Sequence, residues 1–235
     1  MALRQVLFAL LIAAAITFFL WIWFHPRKPV VVPENMPANI EQAAVPSPTP
    51  APSIAPPTAE EAQEKLDLIF KKAVVLDPGA TPSLVTGDFN TDSSTDLVAA
   101  VKPRKEGLAE LNSEVPTWIA QDATFRFDPA ATSPPPPVRF KEDDSILVIV
   151  HGYKAQGWRH PDALQAYVLA HARGDDMRRV SLVKASGALG MDPKKVGFGD
   201  VLAETRDGHP GAVVWTSSRY IWWQLPKALP ASGSP

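Results

Sequence analysis

Asp88, Asn90, Asp92 and Asp96 place oxygen-bearing side chains at intervals of two, two and four residues along one short stretch, Gly87-Asp88-Phe89-Asn90-Thr91-Asp92-Ser93-Ser94-Thr95-Asp96. On a tight loop that spacing turns alternate side chains inward. A cage of carboxylate and carbonyl oxygens is what a hard cation such as Ca2+ takes as ligands. The same residues can instead close an acidic turn by Asx-type hydrogen bonds without any metal. No nucleophile or base is partnered with these residues in the sequence, so catalysis by such a metal is not expected.

A second stretch, Ser145-Ile146-Leu147-Val148-Ile149-Val150-His151-Gly152, has the form of the strand and His-Gly turn that leads to an oxyanion hole in α/β-hydrolases. Ser186, Asp207 and His209 stand in the order of a hydrolase triad. A nucleophile elbow needs Gly-x-Ser-x-Gly, whose glycines relieve a strained strand-to-helix turn. Lys184-Ala185-Ser186-Gly187-Ala188 has neither glycine in place. The expectation is therefore a protein that is not an enzyme, with no catalytic residues, and Asp207-Gly208 as a tight turn. His25, His160 and His171 show no zinc-type spacing. His171 is expected to be half-buried on a helical face with Leu164, Tyr167 and Val168.

The chain has no cysteine, which excludes disulfides and thiolate sites. Its net charge of −2 across 235 residues gives no basic stripe for nucleic acid.

The elements that must position these residues are short. Thr58 and Glu61 form a capping box, and Ala62, Leu66, Ile69, Phe70 and Ala73 then share one helical face. Glu61 with Lys65 and Asp67 with Lys71 are expected as exposed i, i+4 pairs, with Pro78-Gly79 ending the element. A second helix is expected over residues 161–172, with Pro161 at its first position and Gly174 just past its end. Strand-like runs cover residues 83–86, 97–101, 117–120, 124–127, 146–150, 180–183, 201–204, 212–216 and 220–224, with Ser217-Ser218 as a hairpin turn. Many short strands with about two helices predict an α+β, mainly β domain of antiparallel strands over residues 58–228, followed by a disordered tail at 229–235. Trp215, Tyr220, Trp222 and Trp223 make the closing hairpin aromatic. Trp222 and Trp223 point to opposite faces, so one of them is a candidate for binding a partner.

Residues 6–24 are apolar except for Thr17. As a helix they would rise roughly 28 Å, close to the ~30 Å hydrocarbon thickness. Leu7, Phe18, Phe19, Trp21 and Trp23 are the expected membrane anchor, within a transmembrane segment at 1–25. The bulky end of this segment offers no cleavage site for a signal peptide, and Trp21 and Trp23 suit an interfacial aromatic belt. Few residues precede the segment, so a signal-anchor with the amino terminus inside is expected. That is single-pass insertion in the inner (cytoplasmic) membrane, with the carboxy-terminal domain periplasmic or extracellular. The chain has 25 prolines, and residues 26–57, rich in Pro and Ala, are expected to be a disordered linker reaching on the order of 100 Å.

The pattern Asp88-x-Asn90-x-Asp92-x-x-x-Asp96, preceded by Gly87 and followed by Leu97-Val98, resembles the calcium loop of FG-GAP/VCBS-type repeats. The resemblance implies a strand–loop–strand unit and Ca2+ held by Asp88, Asn90, Asp92 and Asp96, with Ser94 at the position that normally donates a backbone carbonyl. It departs from the family at Ser93 and Thr91, where glycine is usual. Gly199-Asp200 through Asp207-Gly208 is a weak echo, so a full propeller is not implied. The chain is similar to FG-GAP/VCBS-repeat-like bacterial envelope proteins of uncharacterised function. In these a single such loop is followed by an Ile-x-His-Gly…Gly-Trp stretch, here Ile149-Val150-His151-Gly152…Gly157-Trp158, and an aromatic hairpin. The expected function is a membrane-anchored, extracytoplasmic interaction or structural protein with a calcium-type loop and a protein partner in the envelope. The alternatives are an accessory subunit of a larger membrane complex and, more distantly, an α/β-hydrolase-like enzyme.

Overall fold

Alternation along three neighbouring strands sets the architecture. In the computed structural model, which describes residues 55–113, 117–126 and 137–229, β3 (Asp96–Pro103), β5 (Ile146–Val150) and β6 (Ala166–Ala170) are buried on both faces. Leu97, Ala99, Val101, Ile146, Val148, Val150, Ala166 and Val168 point to one side, into a core shared with the helix α1 (Ala59–Phe70). Val98, Ala100, Leu147, Ile149, Tyr167 and Leu169 point to the other, against a second sheet. These strands have no polar side to show because neither face meets water.

The first sheet runs β1-β3-β5-β6-β4, with β1 (Val74–Leu76) and β2 (Leu84–Gly87) both pairing with β3. Its pairs are antiparallel except β4 (Ile119–Asp122) with β6, which is parallel. The second sheet is an antiparallel meander, β10-β9-β8-β7, formed by β7 (Asp175–Ser181), β8 (Asp200–Arg206), β9 (His209–Trp215) and β10 (Tyr220–Gln224). Leu202, Val213, Tyr220 and Trp222 face the first sheet. Val180, Val201, Ala203, Ala212 and Val214 face outward, covered by Ala185, Leu225 and Leu229. The described part is thus mainly β, with antiparallel sheets and three α-helical segments: α1, α2 (Leu108–Leu111) and α3 (Leu182–Ala185).

Helix α1 begins as its capping box predicts: Thr58 Oγ1 accepts the Glu61 N–H, and the Glu61 carboxylate accepts the Thr58 N–H. Its buried face includes Ala62, Leu66, Ile69 and Phe70. The expected end at Pro78-Gly79 is corrected to Lys71, which takes a left-handed conformation (φ 50°) before β1. The exposed i, i+4 pairs are corrected as well. Glu61 pairs with Arg159 at 2.9 Å, and Lys71 with Glu110 at 2.6 Å. Lys65 is buried and donates to the carbonyls of His160 and Ala163.

The helix expected over 161–172 is a strand, β6. Ala166-Tyr167-Val168-Leu169-Ala170 is an unbroken apolar run, and periodicity alone does not separate a doubly covered strand from a buried helix. His171 therefore does not lie on a helical face. It is exposed, its ring 3.2 Å from Asp122 Oδ2. Within the run expected at 124–127, residues 124–126 are not a strand either, because Asp122 Oδ1 accepts the N–H and hydroxyl of Thr124 and turns the chain. The run at 180–183 ends at Ser181, which caps α3. Asp207 (φ 51°) and Gly208 (φ 78°) form the expected tight turn between β8 and β9, a conformation suited to a two-residue hairpin.

The anchor residues Leu7, Phe18, Phe19, Trp21 and Trp23, linker residues 26–54 and tail residues 230–235 lie outside the described residues, whereas Leu229, expected in the disordered tail, is buried against the second sheet. Among those described, no helix is long and apolar enough to cross a membrane.

Candidate functional site

The stretch from Asp88 to Asp96 joins β2 to β3, and it is stitched by its own side chains. Asp88 accepts the N–H groups of Asp92 (3.1 Å) and Ser93 (3.0 Å). Asn90 Oδ1 accepts the Asp92 N–H, and Asp92 Oδ1 accepts the Ser94 N–H at 2.8 Å. Asn90 Nδ2 donates to Asp92 Oδ2. Thr91 (φ 66°) and Ser93 (φ 70°) are left-handed, at the two positions where the resembled family favours glycine. A side chain in that conformation costs ~1–2 kcal/mol per residue, which the Asx-type hydrogen bonds offset.

Two remote segments clamp this loop, and a third meets it only through His151. From the His-Gly…Gly-Trp stretch, the Gly152 N–H donates to Asp96 Oδ1 and the Trp158 N–H to the Thr95 carbonyl. Ser94 Oγ donates to the Lys154 carbonyl. A Cβ on Gly152 would collide with the Thr95 carbonyl, and one on Gly157 would come within 2.5 Å of the same oxygen. Gly157 also has φ 61° and ψ −140°, a region essentially reserved for glycine. The glycines of this motif are therefore explained by close backbone approach. From the weak echo, Asp200 Oδ2 accepts the Asp88 N–H, and the Asp200 N–H donates to the Asp88 carbonyl at 2.7 Å. The third segment is the aromatic hairpin, which reaches the corner through His151.

His151 follows β5 and is 4 % exposed. Its Nε2 is 2.8 Å from the Tyr220 hydroxyl at the start of β10. Tyr167 lies beside the imidazole at 4.9 Å between ring centres, and Trp215 meets it edge-on at 5.4 Å. Burial holds the imidazole down to about 4, so it is neutral near pH 7. Burial pushes Asp96 up to about 7, against the opposing effect of the Gly152 and Phe89 N–H donors. It also raises Asp88 and Asp200. The result is a corner where carboxyls are crowded, partly desolvated and bonded to backbone N–H groups, next to an uncharged buried histidine.

This arrangement orders a structure more directly than it performs chemistry. The oxygens of Asp88, Asn90, Asp92 and Asp96 are aimed at N–H donors, and the Ser94 hydroxyl is turned to Lys154. Among the described residues no group of three or more His, Asp or Glu side chains converges to hold a metal ion. Ser186 Oγ donates to the Val183 carbonyl beside the Asp200 end of β8, whereas Asp207 and His209 sit in the hairpin at its other end. The three triad candidates are not brought together. Trp222 is 6 % exposed and Trp223 42 %, so the pair splits between core and solvent as alternation requires.

Sequence reasoning missed Tyr220, Tyr167 and Asp200 as parts of this corner. Of these, only Asp200 carried a signal, in the Gly199-Asp200 echo. No protein-family model matches the chain, and neither the curated proteins nor the solved structures give a match to it.

Proposed function

We propose that this chain is a membrane-tethered, non-enzymatic envelope protein that presents its β domain to a protein partner outside the cytoplasm. Residues 6–24 hold it in the bilayer and residues 26–57 act as the spacer. The acidic corner serves as a rigid junction between the two sheets, a use related to that of the FG-GAP/VCBS-type loop it resembles. The observation that carries this reading is the internal engagement of the corner: the loop carboxylates bond to backbone N–H groups and His151 bonds to Tyr220. A catalytic base must come within hydrogen-bond reach of the proton it abstracts, and here those groups are engaged with one another. Trp223 supplies the contact surface, since it is the outward ring of the closing hairpin, with the Arg126 guanidinium 5.9 Å from its centre. Aromatic and Arg side chains are the residue types that anchor protein interfaces.

The test uses the full chain in native membranes, with a photo-crosslinking residue at position 223 and, separately, at the exposed position 198. A discrete crosslinked envelope protein from position 223 alone is expected. Equal labelling from both positions, or recovery of the chain in the soluble fraction, overturns the reading.

A further inference from the structure

A cleft of about 1100 Å3 opens beside β4, away from the acidic corner, and Asp122, Phe125, His171, Arg206 and Arg219 line it. Its size is just above the usual range of small-molecule sites. Arg206 and Arg219 are both held by main-chain carbonyls. Arg206 Nη1 donates to the His171 carbonyl, and Arg219 Nη2 to the Asp122 carbonyl at 2.9 Å. Between them His171 Nδ1 lies 3.2 Å from Asp122 Oδ2, so the four residues form one continuous run along the wall. Each guanidinium also rests on a ring: Arg206 is 3.8 Å from the centre of Trp222, and Arg219 is 5.0 Å from that of Phe125.

A carbonyl fixes a guanidinium without neutralising it. The carboxylate of Asp207 approaches Arg206 at 3.9 Å, but it is 90 % exposed, where water screens the pair. Each guanidinium has five N–H donors in a rigid fork. One carbonyl and one ring face leave donors uncommitted, and the fork matches a planar or tetrahedral oxyanion. Because the side chains are already oriented, little conformational entropy remains to be lost on binding.

We propose that this wall binds a compact oxyanion, the phosphate or carboxylate group of a small ligand, through Arg206 and Arg219. Pro137 and Val138 supply apolar contact for the body of the ligand. Asp122, Asp143, Asp144 and Asp207 line the same cleft, so an extended polyanion would meet their charge.

The experiment titrates the detergent-solubilised full chain with phenyl phosphate and with benzoate by calorimetry, in wild type, Arg219→Gln and Arg206→Gln. Saturable binding of at least one probe in the millimolar range is expected, weakened by roughly tenfold or more in each variant that keeps the wild-type melting transition. The probe that binds more tightly distinguishes a phosphate from a carboxylate ligand. If Arg206→Gln fails to fold, Arg219→Lys takes its place: it keeps the charge, removes the fork and should still weaken binding. No saturable binding of either probe to wild type overturns the proposal, as does unchanged affinity in a folded variant.

Discussion

His151 Nε2 and the Tyr220 hydroxyl, 2.8 Å apart, tie the end of β5 in the first sheet to the start of β10 in the second. Both residues are buried, so each is the other's means of satisfying a polar atom away from water. Tyr220→Phe keeps the ring and the packing but strands the imidazole nitrogen. It should lower stability by about 1–3 kcal/mol, read from urea unfolding at pH 7.5. An unchanged midpoint would show that the bond contributes nothing.

Gly157→Ala should be among the most damaging small substitutions in the domain. Its φ of 61° disfavours any side chain, and the new methyl would press on the Thr95 carbonyl. A loss of roughly 1–3 kcal/mol is expected. Gly187→Ala is the control, since nothing lies within 4 Å of a Cβ there, and it should stay within about 0.5 kcal/mol of wild type. Equal effects of the two substitutions in chemical denaturation would contradict the close-approach account.

Stability should depend on pH with opposed contributions from His151 on one side and Glu204 and Asp96, the latter raised to about 7, on the other. His151 has a folded value of about 4, below its ordinary 6.5, so its contribution is full above pH 6.5 and fades as the pH falls toward 4. Glu204, buried in the sheet interface with one oxygen on the Gly174 N–H, is raised by burial from 4.5 to about 8. Its contribution is full below pH 4.5 and is lost as the pH rises through 8. Wild-type stability should therefore decline between pH 6 and 8.5. Glu204→Gln should remove about 2–3 kcal/mol of that decline. Parallel pH profiles for the two proteins would refute the assignment.

Removing calcium should leave the melting transition of the full chain where it is. The loop closes on its own N–H groups, and a ligand that binds only the folded state must raise its stability by mass action. A higher melting temperature in millimolar Ca2+ than in chelator, lost in Asp92→Asn, would instead establish the cation role that the FG-GAP/VCBS-type pattern implies.

Strands β5 and β10 were legible to the residue because each is a β-branched or aromatic run bounded by turn residues. The capping box and buried face of α1 were legible for the same local reason. β6 was not, because burial on both faces erases the alternation that marks a strand and Pro161 and Gly174 imitate helix punctuation. Glu61 and Lys65 were misassigned to each other because their true partners, Arg159 and the His160 carbonyl, are set by tertiary packing. At the corner, the loop residues could be found by spacing. Asp200 showed only as the Gly199-Asp200 echo and Tyr220 not at all as a corner residue, since nothing local in the chain says which distant residue will dock on His151 or Asp88.

The corner has a consequence for the order of assembly. Its members come from β2–β3, from the stretch after β5, from the start of β8 and from the start of β10, so no chain shortened before Tyr220 contains all of them. During synthesis the left-handed turns at Thr91 and Ser93 must wait, without their clamps, until Asp200 has emerged. Such long-range closure is paid for late and makes folding slow but cooperative. A protein shortened before β8 would lack not one edge but the joint on which both sheets agree.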